Sequence, residues 1–272
     1  MSKILTIIPA RLASARLPNK PLADIEGKTM IVRVYEQAKK ANLGEVIVAC
    51  DSKEIADVIT NVGGRVIITD PNLPSGTDRI FSALSQIENN QQFDVIVNLQ
   101  GDLPVIDPQV IYSAAILALN SDADIATVAS IITNEDEINN PNVVKIAIAF
   151  MENKNPMRRF VADVNPKFDQ ELNYKMGTAL YFSRSAIPYG AQEYYHHIGI
   201  YAYKRTALEK FVKLKPSDLE KRESLEQLRA LENNMKIVVG IVDSHPLSVD
   251  TALDLEKVKK FLQNNEGKKQ EG

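Results

Sequence analysis

The feature that most constrains this chain is an alternation of two hydrophobic periods over its first 130 residues. Short runs rich in Val and Ile (Ile4 to Ile8, Val46 to Cys50, Arg65 to Thr69, Val95 to Leu99 and Ile125 to Ile131) are apolar on both faces. Such runs read as buried parallel strands. Between them apolar residues recur at helical spacing: Met30, Ile31, Val34, Tyr35 and Ala38, then Ile55, Ile59 and Val62, then Ile80, Phe81, Leu84 and Ile87. Gly63-Gly64 supplies a helix stop, and Asp107-Pro108 has the form of an N-cap with proline at the first helical position. Strand, helix, strand repeated four times demands right-handed crossovers and a parallel sheet with helices on both faces, an α/β architecture.

From about residue 134 the pattern changes. Val143 to Phe150, Gly177 to Ser183 and His197 to Tyr203 read as strands with no helix between each pair, and the polar stretch from Glu152 to Lys175 as a loop or partly helical insertion. Helical patterns return at Thr206 to Lys213 and Asp218 to Asn233, followed by a strand at Ile237 to Ile241 and a last helix at Leu253 to Leu262. There is no internal repeat. The expected organisation is one domain over 1–263, with halves at 1–133 and 134–263, and a frayed polar tail at 264–272. A chain of 272 residues has enough material for that core.

Composition removes several function classes. Thirty-two Lys+Arg against 35 Asp+Glu leave a net charge of −3, which argues against a dedicated nucleic-acid binder. The single cysteine, Cys50, excludes a disulfide within the chain and a thiolate-only zinc site, and fits a reducing cytoplasm. No signal peptide is expected, because proline and arginine interrupt the first apolar run, and no stretch is apolar for long enough to cross a bilayer. Gly27-Lys28-Thr29 looks like the end of a P-loop, but Leu22 stands where that motif needs glycine. No Gly-x-Gly-x-x-Gly follows any expected strand. His196 and His197, as neighbours on a strand, point to opposite faces and cannot share one metal. Cys50 reads as a small core residue.

Three segments remain. The loop after the first strand, Pro9 to Pro21, carries Arg11, Arg16 and Lys20 among small residues and starts where open α/β sheets bind ligands. It fits a triphosphate held without a Walker motif and equally a solvated basic turn. Asn98-Leu-Gln-Gly-Asp102-Leu-Pro104 ends the fourth strand with a carboxylate, either a Mg²⁺ anchor or a turn aspartate. Asp250, after the last strand, is a second candidate anchor. Ser75-Gly-Thr-Asp-Arg79 opens a helix: Ser75 or Thr77 can cap it, and Gly76 allows close approach of a base or ribose, though a plain N-cap explains most of the segment.

Seven blocks occur in one order: Ile8-Pro-Ala-Arg-Leu-Ala-Ser-Ala-Arg-Leu-Pro-x-Lys-Pro-Leu22, Ser75-Gly-Thr-Asp-Arg79, Gln100-Gly-Asp102, Ala179-Leu-Tyr-Phe-Ser-Arg184, His197-Ile-Gly-Ile-Tyr-Ala-Tyr203, Leu225-Glu-Gln-Leu-Arg229 and Val249-Asp-Thr251. Together, from about Ile4 to Phe261, they make the chain resemble the 3-deoxy-manno-octulosonate (Kdo) cytidylyltransferase family, the CMP-Kdo synthetases. The resemblance implies a nucleotide-diphospho-sugar transferase (Rossmann-like) fold, with a mostly parallel central sheet covered by helices and a smaller mixed β subregion for dimerisation. It implies a homodimer and the reaction CTP + Kdo → CMP-Kdo + pyrophosphate, which activates Kdo for lipopolysaccharide biosynthesis. It also implies residue roles. Arg11, Arg16 and Lys20 would hold the CTP phosphates, Ser75, Gly76, Arg79 and Gln100 would surround the cytidine, and Pro9 and Ala10 would also bind the nucleotide. Asp102 and Asp250 would bind magnesium, and Arg11, Lys20, Asp102 and Asp250 would carry the chemistry. Arg184, His197, Tyr201, Glu226 and Gln227, with Gln100, would form the sugar-acid pocket.

Period arithmetic bears on that last group. On a strand from His197, residues His197, Gly199, Tyr201 and Tyr203 share one face, a wall for a polyhydroxy acid, while Ile198, Ile200 and Ala202 share an apolar one. A polar face on an edge strand would alternate in the same way. The sequence departs from the family at Leu103, where Gln-Gly-Asp-Glu-Pro is usual. The lost carboxylate is expected to alter metal or sugar positioning, or the preference among sugar acids. The alternatives are a sister cytidylyltransferase for 8-amino-Kdo or a sialic acid, and a non-catalytic nucleotide-binding subunit.

Overall fold

The computed structural model describes residues 3–14, 16–151, 175–244 and 247–270, so the insertion expected from Glu152 onwards lies outside them up to residue 174. In chain order the elements are β1 (Ile4–Ala10), β2 (Asp24–Ile25), β3 (Lys28–Thr29), α1 (Met30–Ala41), β4 (Gly44–Cys50), α2 (Lys53–Asn61), β5 (Arg65–Ile68), α3 (Gly76–Ser85), β6 (Val95–Leu99), α4 (Pro108–Asn120), β7 (Ile125–Ile131), α5 (Glu135–Ile138), β8 (Lys145–Phe150), β9 (Met176–Ser183), β10 (Tyr195–Lys204), α6 (Arg205–Phe211), α7 (Asp218–Glu223), α8 (Leu228–Glu232), β11 (Ile237–Ile241) and α9 (Ala252–Gln270). They form two compact units, one of residues Thr6–Asn90, Asn98–Pro108 and Pro246–Gly272, the other of Met1–Leu5, Gln91–Val97 and Gln109–His245.

In the first unit the strand order is β5-β4-β1-β6, with β4 and β5 parallel from Ile47↔Arg65 to Cys50↔Ile68. Strands β1 and β6 are buried throughout and β4 over most of its length, and Met30, Ile31, Val34, Tyr35 and Ala38 of α1 form one buried stripe; β5, expected as a buried run, is instead an edge strand with no buried residue. Helix boundaries follow local chemistry. Ser52 caps α2 by accepting the Ile55 N–H at 3.3 Å, and Gly63, at φ 74°, lets the chain turn after it. The apparent P-loop remnant is a hairpin turn: Glu26 and Gly27 both have positive φ (48° and 75°), as a two-residue turn between β2 and β3 requires. A small core of Ile25, Met30, Val249 and Val258, joined by Leu17, Val105, Leu247, Leu255 and Leu262, ties this hairpin to α1, α9 and the segment that carries Asp250.

In the second unit the order is β6-β10-β7-β11-β9-β8. Strand β11 is parallel to β7, while β10 runs antiparallel to β7 and β9 antiparallel to both β11 and β8. Two helix expectations need correction. The pattern over Asp218 to Asn233 is two helices, because Ser224 adopts a left-handed conformation (φ 52°) that ends α7 before α8 begins. The last helix does not stop at Leu262: α9 continues to Gln270, since a polar composition is no stop signal and Gly267 alone weakens a helix by only about 1 kcal/mol.

Candidate active site

Within the first unit, a cavity of about 470 Å³ opens at the C-terminal ends of β1 and β6 and at the start of α3. This is where open parallel sheets present their loops to ligands. Its lining brings together Pro9, Ala10, Arg11, Arg16, Lys20, Ser75, Gly76, Arg79, Gln100, Asp102 and Asp250, every residue assigned above to the nucleotide and the metal.

Lys20 is the hub. Its ammonium donates to Asp102 Oδ2 at 2.9 Å and to Asp250 Oδ1 at 3.1 Å. Arg16 reaches the same oxygen of Asp250 at 3.2 Å, from an exposed position. The Val249 N–H donates to the Asp102 carbonyl at 2.9 Å, so the segments bearing the two aspartates are joined through backbone as well. Asp102 depends on Gly101 for its placement: a Cβ there would lie 2.8 Å from the Pro9 carbonyl oxygen, a contact that backbone cannot relieve. Two hard carboxylates converging on one cation suit Mg²⁺, which keeps several positions for water and phosphate oxygens. Among the described residues no group of three or more acidic, His or Cys side chains could cage a metal, so an ion at Asp102 and Asp250 would share its shell with an oxygen-rich ligand.

The side of the cavity expected to take the nucleoside is built on α3. Ser75 is the N-cap: its hydroxyl accepts the Asp78 N–H at 3.1 Å and lies 2.7 Å from the Asp78 carboxylate. Gly76 faces Pro9 and Gln100 closely, since a Cβ there would come 3.3 Å from Pro9 Cγ and 3.6 Å from Gln100 Oε1. Gln100 Nε2 donates to Asn98 Oδ1 (3.1 Å), and Asn98 Nδ2 donates to Thr77 Oγ1 (3.3 Å). Arg79 is buried; it donates to Thr69 Oγ1 at 2.6 Å and to the Asp70 carbonyl at 3.2 Å, with Asp51 3.9 Å from its guanidinium. Asp51 also accepts the Leu12 N–H at 2.9 Å, which pins the basic loop. Sequence reasoning missed Asp51. The available signal was its position directly after β4, at the same edge as the loop after β1.

Leu103 does not line this cavity. It is buried in the core, so the departure from the family's usual glutamate places no side chain beside Asp102 within the pocket.

The residues expected to hold a sugar acid lie in the second unit. Strand β10 has paired neighbours on both edges and no exposed residue on either face, so the alternation reports two kinds of packing. His197 and Tyr201 are adjacent rings at 5.3 Å, His197 also packs on Phe182 at 4.9 Å, and Tyr203 turns into the core against Phe211. Pairing with β7 slips between Ile198↔Val128 and Tyr201↔Thr127, and there the Thr127 hydroxyl donates to the Ile200 carbonyl at 2.7 Å and lies 3.0 Å from His197 Nε2. Burial, with a smaller contribution from His196, holds the His197 pKa down at about 3, so the ring is neutral at physiological pH. Burial pushes the Tyr201 phenol well up, helped by Tyr203 and by the negative charge of Glu226. Gln227 is buried and Glu226 half-buried. Arg184, at the end of β9, gives three N–H bonds to backbone carbonyls, those of Glu223 (2.7 Å), Pro141 (2.8 Å) and Ser224 (3.3 Å).

Neutral burial of His197 has a measurable consequence. The unfolded chain takes up a proton near pH 6.5 and the folded one only near pH 3, so stability falls as pH drops through that window. The slope from this residue is about 1.4 kcal/mol per pH unit. Urea unfolding at pH 5 and pH 7 is expected to show that loss in the wild type and to lack this contribution in His197→Gln.

A family model described as Cytidylyltransferase matches residues 5–237. The 3-deoxy-manno-octulosonate cytidylyltransferase of Bartonella henselae is 51% identical over 256 residues, covering 94% of this chain and 97% of its own length. The enzyme of that name from Parvibaculum lavamentivorans is 47% identical over 258 residues, 95% of this chain and 92% of its own. Among solved structures, CMP:2-keto-3-deoxy-manno-octonic acid synthetase complexed with CTP matches at 34% identity with a TM-score of 0.81, over 97% of this chain and 100% of that one. A 4-diphosphocytidyl-2C-methyl-D-erythritol synthase from Anaerococcus prevotii, 13% identical with a TM-score of 0.57 over 96% of this chain and 99% of its own, shares the fold alone.

Proposed function

This chain belongs to the cytidylyltransferase family, and on that premise we propose that it transfers the cytidylyl group of CTP to Kdo, giving CMP-Kdo and pyrophosphate for lipopolysaccharide biosynthesis. The observation that carries the reading is the convergence of Asp102 and Asp250 on Lys20, beside a basic loop, in a cavity sized for a nucleotide.

In the reaction the anomeric hydroxyl oxygen of Kdo bonds to the α-phosphorus of CTP. The bond from that phosphorus to the bridging oxygen of the β-phosphate breaks, and the hydroxyl proton is lost. Such a transfer asks the protein mainly for alignment and charge compensation. Arg11, Arg16 and Lys20 supply fixed positive charge where the departing pyrophosphate gathers negative charge. Asp102 and Asp250 would hold Mg²⁺, which supplies Lewis-acid polarisation of phosphate oxygens and of the attacking hydroxyl when bound. Ser75, Gly76, Arg79, Gln100, Pro9 and Ala10 surround the nucleoside. Arg184 provides the cation for the sugar carboxylate, and neutral His197, Tyr201, Glu226 and Gln227 provide hydrogen bonds to its hydroxyls.

A CTP-dependent pyrophosphate-release assay over Kdo, 8-amino-Kdo and a sialic acid tests the substrate. Kdo is expected to give the highest kcat/KM by at least about tenfold, a gap of about 1.4 kcal/mol. Turnover confined to another acid would replace the substrate, and CTP binding without pyrophosphate release for any acid would leave only a binding subunit. Arg16→Ala, which removes an exposed cation paired with Asp250, is expected to raise the KM for CTP about tenfold or lower kcat comparably. If neither moves, the loop does not hold the phosphates.

We also propose a homodimer in the cytoplasm. The exposed apolar residues Phe150, Met151, Leu180 and Tyr189 of the second unit support a self-association surface. Light scattering is expected to give twice the chain mass of 30.2 kDa. A buried free thiol at Cys50, and the lack among the described residues of a helix long and apolar enough to cross a membrane, are compatible with that location.

A further inference from the structure

We propose that Glu223 is a positioning residue for the sugar acid, a brace that presents Arg184, Glu226 and Gln227 as one preformed edge. The inference rests on the reading of those three residues as sugar-acid ligands.

The Glu223 carboxylate joins the end of β9 to the end of α7. Oε1 accepts the Ser183 hydroxyl at 2.7 Å and Oε2 accepts the Arg184 backbone N–H at 2.9 Å. The Arg184 side chain then returns to the same turn, giving its Nε–H to the Glu223 carbonyl at 2.7 Å and a terminal N–H to the Ser224 carbonyl at 3.3 Å. Its other terminal nitrogen donates to the Pro141 carbonyl at 2.8 Å. That turn is itself held from below: buried Lys145 donates to the Asn140 and Val143 carbonyls at 2.8 and 2.6 Å. Two strand-end residues, two turns and one helix end are therefore locked by bonds that all pass through Glu223 or Arg184.

The count of donors shows what the brace leaves over. A guanidinium has five N–H groups, and three are committed to carbonyls. One remains on each terminal nitrogen, the number that a carboxylate takes up in a two-point bond. The committed three fix the plane and direction of the other two before any ligand arrives, which lowers the ordering cost of binding. Glu226 and Gln227 follow within four residues of Glu223, on the chain that leaves the left-handed Ser224. A shift of the Glu223 carboxylate would thus move the cation and both hydrogen-bonding residues together, whereas the nucleotide cavity is lined by none of them.

Steady-state kinetics of the full chain with CTP, Kdo and Mg²⁺ test this. Glu223→Ala is expected to raise the KM for Kdo at least tenfold while the KM for CTP stays within twofold. Glu223→Gln, which keeps the shape and an acceptor oxygen, is expected to recover most of that loss, and Ser183→Ala to raise the KM for Kdo two- to threefold. In an Arg184→Lys background, Glu223→Ala is expected to add less than a further threefold. An unchanged KM for Kdo in Glu223→Ala, or equal rises for both substrates, would overturn the proposal. Should Glu223→Ala fail to fold, a wild-type KM for Kdo in both Glu223→Gln and Ser183→Ala overturns it in the same way. A wild-type enzyme that turns over no sugar acid removes the proposed function, and this inference with it.

Discussion

Asp102→Asn is expected to lower kcat by about a thousandfold or more and to change CTP affinity by no more than a few-fold. The substitution keeps the shape of the side chain and one acceptor for Lys20, so the fold around Gly101 and the Val249 bond to the Asp102 carbonyl should persist. What it removes is one of two charges able to anchor a hard divalent cation. Nucleotide affinity, by contrast, is expected to draw mainly on Arg11, Arg16, Lys20 and the start of α3, all of which remain. Pyrophosphate release measures the first quantity and CTP titration the second. A variant with wild-type kcat would end the metal-anchor assignment.

Lys20→Met should be nearly as damaging, by a different route. Lys20 contacts both aspartates within 3.1 Å and is more deeply set than Arg16. Without it Asp102 loses its paired cation, Asp250 keeps only the exposed Arg16, and the loop after β1 loses its tie to Asp102. We expect kcat to fall about a hundredfold and the KM for CTP to rise about tenfold, because the residue serves both the aligned state and the bound triphosphate. Thermal unfolding separates this from collapse of the site: a loss confined to a few degrees with the kinetic effect intact supports the assignment. Kinetics indistinguishable from wild type would refute it.

Much of this was legible in the sequence because period and length are local quantities. The bounds of β6, β7 and β11 coincide with those read from apolar runs, and α1 through α3 lie where their stripes put them. The residues that the motifs grouped for nucleotide and metal line one cavity. Other features depended on contacts that no local rule contains. Strands β2 and β3 are two residues each, too short to show a period, although Glu26-Gly27 has the form of their turn. The break at Ser224 is invisible to helix propensity, and it lies where Glu223 and Arg184 bond across from β9. Asp51 acts through a backbone N–H of a distant loop, and the common contact of Asp102 and Asp250 with Lys20 spans most of the chain. Tyr203 shared a face with His197 as alternation requires, yet lies in the core, because β10 is covered on both sides.

The slip between β10 and β7 bears on how the length of this strand can change. On the β10 side Gly199 and Ile200 are inserted opposite no partner, an even number, so His197, Tyr201 and Tyr203 keep the orientation of Ala129, Thr127 and Ile125. Loss of both residues would shorten the strand and leave every later side chain on its own side. Loss of one would leave a single-residue bulge, in which Tyr201 can still face Thr127 while the strand bends and twists more sharply.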